Sequence, residues 1–121
     1  MQKESSSSVR IFYPESSREE IVVTLREMTK ALDRKLPLKL AMLFGSYAAG
    51  NYTVRSDVDV LIVYRGEEHK EAYTLTKKTL DIPRLEPHVY SEGQWEEMRM
   101  VIEKMARKGI MLFGTNPLPF K

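Results

Sequence analysis

The sequence predicts an α/β or α+β sandwich: a mixed β-sheet with helices packed mainly on one face, the other face left open for chemistry. Short β-branched and apolar runs alternate with longer stretches in helical period, and two of those stretches open on capping residues. A chain of 121 residues is long enough to bury one core and too short for a second, substrate-binding unit.

Taken in order, the first eight residues, with Ser5 to Ser8 a small polar run, have nothing to bury and are expected to be disordered. Val9 to Tyr13 reads as a short edge strand before Pro14, and the globular domain is expected over 9–114. Ser16 or Ser17, followed three residues on by Glu19 or Glu20, matches a capping box. Ile21, Leu25, Met28 and Leu32 then share one helical face, to about Lys35 before Pro37. Leu38 to Phe44 is an apolar strand. Val58 to Tyr64, almost all β-branched or apolar, is a central one. Glu67 to about Leu80 predicts a helix with Ala72, Leu75 and Thr79 inward, broken by Pro83. Leu85 to Tyr90 is a strand whose Pro87 suits an edge or a bulge. Ser91 and Gln94 form a second capping box for one helix with Trp95, Met98, Ile102 and Met105 on a face, ending at Gly109. Ile110 to Phe113 adds a last strand, and 115–121 is an extended tail.

Nineteen Lys and Arg against seventeen Asp and Glu leave a formal charge of +2, without the basic excess of a dedicated nucleic-acid binder. Absence of cysteine excludes a disulfide framework and thiolate metal sites, and suits a reducing cytoplasm. With no signal-like or membrane-length apolar run, a soluble cytoplasmic protein is expected.

The chemistry concentrates in one segment: Leu43-Phe44-Gly45-Ser46, ten further residues, then Asp57-Val58-Asp59-Val60-Leu61-Ile62-Val63. Strand alternation points Asp57 and Asp59 to one side and Val58 and Val60 to the other. Two carboxylates facing one space repel unless a cation lies between them. A hard divalent ion such as magnesium takes carboxylate oxygens and commonly substrate phosphates as well. The Gly45-Ser46 turn can offer backbone N–H groups and the Ser46 hydroxyl to an anion. Ser56, beside the carboxylates, is a further candidate phosphate contact. A pair of solvated strand-end carboxylates is the plain alternative, and the Gly-Ser turn at this spacing argues against it.

This Gly45-Ser46, Asp57-x-Asp59 arrangement resembles the active-site motif of the minimal nucleotidyltransferases in the DNA polymerase beta superfamily. The resemblance extends from the first helix to Phe113. It implies that Gly45 and Ser46 hold the phosphates of a nucleoside triphosphate, ATP first among them, with Ser56 beside them as the further candidate contact. It implies that Asp57 and Asp59 bind Mg2+, two ions in all, and that a third carboxylate from a later strand completes the metal site. Glu86, at the start of the Glu86-Pro87-His88-Val89-Tyr90 strand, matches that third position and by alternation shares a face with His88. The implied activity is nucleotidyl transfer to a hydroxyl, with a helical HEPN-type toxin protein as the implied partner and acceptor. The chain departs from the family pattern at Ala49, where Arg is frequent, and at Glu86, where Asp is usual. These departures favour the alternative of an antitoxin module that neutralises its partner by occlusion. A small-molecule modifier is disfavoured, since no second domain offers an acceptor site.

Overall fold

The computed structural model describes residues 17–53, 55–105 and 107–114. The expected strand at 9–13, the Ser5–Ser8 run, the 115–121 tail and the Met105 side chain lie outside what is described. The first capping box is Ser17 with Glu20: the Glu20 N–H donates to Ser17 Oγ and the Ser17 N–H to Glu20 Oε1, each at 3.1 Å. Helix α1 (Arg18–Lys35) follows, burying Ile21, Val22, Leu25, Thr29 and Leu32. Asp33 Oδ1 accepts the Leu38 N–H at 2.8 Å, which turns the chain round Pro37 into β1 (Leu38–Phe44).

Next come α2 (Gly45–Ala49), β2 (Val58–Tyr64), α3 (Ala72–Thr79), β3 (Leu85–Ser91), α4 (Glu92–Glu97), α5 (Arg99–Met105) and β4 (Ile110–Phe113). The four strands form one sheet in the order β3-β2-β1-β4. Strand β1 pairs antiparallel with both β2 and β4, whereas β2 and β3 run parallel, so the sheet is mixed. Pro87 lies on β3, an edge strand among the described residues, the position a proline in a strand favours.

Two layers of core flank the sheet. On one face Leu25, Leu32, Leu43, Val60, Ile62 and Leu80 pack beneath α1 and α3. On the other, Trp95 and Ile102 cover Leu40, Met42, Phe44, Leu61 and Val63. The second face is therefore partly roofed by α4 and α5. The register places Phe44 against Asp59, and Tyr64 against both Leu38 and, in β3, Ser91. Helix α4 begins after Ser91, at the end of the sheet away from Asp59.

Two helix boundaries differ from expectation. Helix α3 starts at Ala72 and not near Glu67, because the preceding amides are taken elsewhere. The His69 N–H donates to Tyr64 Oη at 2.9 Å and the Glu71 N–H to His69 Nδ1 at 3.1 Å, after a turn through Gly66 at φ 90°. The expected single helix after Ser91 opens at Met98, where φ is −105° and ψ 18°. The Met98 N–H to Gln94 O and Ile102 N–H to Met98 O bonds, both 2.9 Å, span this opening, so α4 and α5 stay nearly continuous. The second capping box forms as expected between Ser91 and Gln94.

Candidate active site

Strand β1 delivers the chain to Gly45, which takes φ 77°, a left-handed conformation that glycine adopts without strain. Its lack of a side chain has a second purpose. A Cβ there would collide with Asp59 Oδ2 and would lie 3.2 Å from Asp59 Cγ. The first turn of α2 is thus seated directly against the Asp59 carboxylate. Phe44, in the N-cap position of α2, has no side-chain acceptor to offer, so the leading amides of α2 receive no side-chain cap. Ser46 is half-buried, and its carbonyl takes the Gly50 and Asn51 amides at 2.9 and 3.2 Å.

The connection from α2 to β2 is held at both ends. Tyr52 stacks on Tyr47 with ring centroids 4.2 Å apart and an interplanar angle of 11°. Its hydroxyl accepts the Arg18 N–H at 3.1 Å, and Arg18 Nη1 donates to Ala48 O at 2.8 Å. Burial pushes the Tyr47 phenol above its ordinary pKa; Tyr52 adds to that rise and the charge of Arg84 opposes it. Nearer the carboxylates, the Thr53 N–H donates to Ser56 Oγ at 2.9 Å and the Ser56 N–H to Thr53 O at 3.1 Å. The Ser56 hydroxyl oxygen therefore closes the loop that presents Asp57.

Asp57 precedes β2 by one residue and its side chain is about half exposed, while that of Asp59 is only a quarter exposed. Each carboxylate has a neighbour. His88 Nε2 lies 3.4 Å from Asp59 Oδ1, and the His88 ring meets Phe44 edge-on at 4.9 Å. Arg84 Nη2 lies 3.6 Å from Asp57 Oδ1. Arg84 has φ 64°, alone among described non-glycine residues in the left-handed region. That conformation costs about 1–2 kcal/mol. It is held by a 2.9 Å bond from the Val58 N–H to Arg84 O, and by the guanidinium donating from Nε to Ser56 O at 3.3 Å and from Nη2 to Arg55 O.

Glu86 stands opposite Asp59 in the parallel register and is exposed. Among the described residues no group of three or more His, Cys, Asp or Glu is placed to hold an ion. Asp57 and Asp59 still suit a hard divalent cation as all-oxygen donors, Asp57 half exposed and Asp59 seated against the Gly45 turn. The remaining ligands would come from water and phosphate. Asp59 and Gly45 are brought into contact, with Ser46 next to Gly45 at the start of α2. Arg84 and the proximity of His88 to Asp59 were not legible in the sequence, although alternation from Glu86 did place His88 on the shared face.

No described helix is long and apolar enough to cross a membrane. A candidate protein adenylyltransferase of Methanocaldococcus jannaschii is 44% identical over 61 residues, which is 49% of this chain and 57% of that protein, so the match spans little more than half of the relative's length. A candidate nucleotidyltransferase of Sulfolobus solfataricus superposes with a TM-score of 0.59 at 18% identity, over 93% of this chain and all of the other. A chain from the complex of tri-AMPylated Shewanella oneidensis HEPN toxin with MNT antitoxin gives a TM-score of 0.53 at 20% identity, over 78% of this chain and 73% of that one. At such identities these structures establish the fold. The model of the nucleotidyltransferase domain matches residues 25–113, a span that contains the Gly45 turn, both aspartates and every described strand, and the chain belongs to that family.

Proposed function

We propose that this protein binds a nucleoside triphosphate, ATP in the first place, together with Mg2+, and transfers its nucleotidyl group to a hydroxyl of a HEPN-type partner protein in the cytoplasm. The observation that supports the reading is the seating of Gly45 on the Asp59 carboxylate, which brings the start of α2 and an anionic oxygen together at one point. The name of the M. jannaschii relative and the AMPylated toxin in the S. oneidensis complex support the choice of adenylyl group and acceptor. We assign the catalytic unit to 9–114, with 1–8 and 115–121 outside it.

In this reading the amides of Gly45 and Ser46, the Ser46 hydroxyl and the loop at Ser56 orient the phosphates, and Asp57, Asp59 and Glu86 provide the anionic ligands. Two magnesium ions bound there would neutralise charge on the attacking and leaving oxygens. The acceptor oxygen bonds to the α-phosphorus as the bond to pyrophosphate breaks, and the hydroxyl proton leaves to solvent. Positioning and electrostatics carry such transfers, so one small domain suffices when the partner presents its own acceptor.

Incubating the protein with labelled ATP, Mg2+ and its helical partner tests the proposal: label should pass to the partner and not to the Asp57→Asn, Asp59→Asn variant. A second reading, neutralisation by occlusion, is favoured by Ala49, by Glu86 and by the absence of a three-donor group among the described residues. Partner binding without label transfer would establish it.

Glu86 separates the two. Glu86→Gln is expected to leave Mg·ATP affinity within about twofold and to lower transfer about a hundredfold or more, since the loss falls on activation of the acceptor in the transition state. Glu86→Asp, the residue usual in the family, should keep or raise transfer. Equal transfer rates for all three proteins would make Glu86 a surface residue.

A further inference from the structure

The α2 turn carries no basic side chain, although a triphosphate brought against it would add several negative charges beside two carboxylates. Arg18 does not compensate, because its guanidinium meets α2 at the Ala48 carbonyl, at the far end from Gly45. Among the described residues, the arginine that pairs with a site carboxylate is Arg84. It lies immediately before β3, contacts Asp57 directly, and its charge is felt at Tyr47 within α2 itself. We propose that Arg84 is the phosphate-binding cation of this site, its guanidinium exchanging Asp57 for the triphosphate when nucleotide and divalent ion bind. The inference rests on the nucleotide-binding reading above and goes beyond it by naming a residue outside the family motif.

The geometry supports an exchange of this kind. The Arg84 to Asp57 separation of 3.6 Å, between two half-exposed side chains, is that of a loose surface pair, of the sort a stronger ligand displaces. The fork is held close by the carbonyls of Arg55 and Ser56, so releasing Asp57 leaves Nη2 beside the same loop. An arginine fork also matches the oxygens of phosphate better than a point charge does. One residue then has opposite effects on two ligands. It competes with a free cation for Asp57 and assists the cation that arrives with a nucleotide.

Calorimetry with Mn2+ alone and with Mg2+ plus AMP-PNP, on the parent, Arg84→Gly and Arg84→Lys, tests this. Glycine adopts φ 64° freely, so Arg84→Gly removes the guanidinium without straining the backbone. Thermal unfolding verifies that the fold is kept. Arg84→Gly should bind AMP-PNP about ten- to a hundredfold more weakly, the loss expected for a charge-assisted phosphate contact. The same variant should bind Mn2+ alone about two- to fivefold more tightly, the range released by a surface ion pair. Arg84→Lys should recover part of the nucleotide affinity. Unchanged AMP-PNP affinity in Arg84→Gly, or a parallel loss of both ligands, overturns the proposal while the nucleotide reading stands. A parent protein that binds no AMP-PNP overturns both.

Discussion

Replacing Asp57 and Asp59 together by asparagine should abolish metal-dependent nucleotide binding and all transfer while leaving the fold intact. Asp59 lies against the Gly45 turn with Asp57 two residues before it, and asparagine keeps their shape while removing the charge that a divalent cation requires. Loss of even an outer-shell partner of a metal ligand costs about 10–100-fold, so loss of both ligands should exceed about a hundredfold. Stability should change little, because the partners left behind, Arg84 and His88, are themselves partly exposed and can be hydrated. Calorimetry with Mg2+ and AMP-PNP measures the first effect and thermal unfolding the second. Unchanged metal-dependent affinity in a folded double variant would remove the aspartates from the site.

Gly45→Val should be nearly as severe for binding and much worse for the fold. The side chain would enter at φ 77° and strike the Asp59 carboxylate. Left-handed strain of about 1–2 kcal/mol and overpacking of about 1–3 kcal/mol together cost about 2–5 kcal/mol. The fall in Tm is on the order of 10 °C. Gly50→Ala is the matched control. Gly50 is at φ 90°, so alanine is strained there too, but its Cβ would meet only Arg18 Nη1 at 3.5 Å, away from Asp59. It should lower Tm without comparable loss of nucleotide. Ser46→Ala removes one hydroxyl and should weaken nucleotide binding by less than about tenfold. If Gly45→Val folds and binds nucleotide like the parent, the phosphates do not rest on this turn.

What was legible in the sequence was local. The Ser17–Glu20 and Ser91–Gln94 boxes, the end of α1 before Pro37 and the edge position of Pro87 each depend on residues within a turn or two of one another. The Gly45-Ser46 and Asp57-x-Asp59 elements were legible for the same reason. The features that escaped depend on groups brought from elsewhere. The delayed start of α3 needs the Tyr64 hydroxyl at the end of β2. The positive φ of Arg84 needs acceptors at Arg55 and Ser56, nearly thirty residues earlier. No residue pattern announces an arginine in the left-handed region, since the preference there belongs to glycine and asparagine.

The strand order also bears on how robust the active region is. Gly45, Ser46, Ser56, Asp57 and Asp59 all lie on or between β1 and β2, the two inner strands, whereas β3 and β4 form the rims. Loop closure over so short a stretch is entropically cheap, so this hairpin-like unit can assemble early and open last. Amide hydrogen exchange should show the slowest protons in β1 and β2 and faster ones in β4. Surface drift on β4, α4 and α5 could therefore reshape what the protein docks against, generation after generation, while the Gly45 turn and the two aspartates stay as they are.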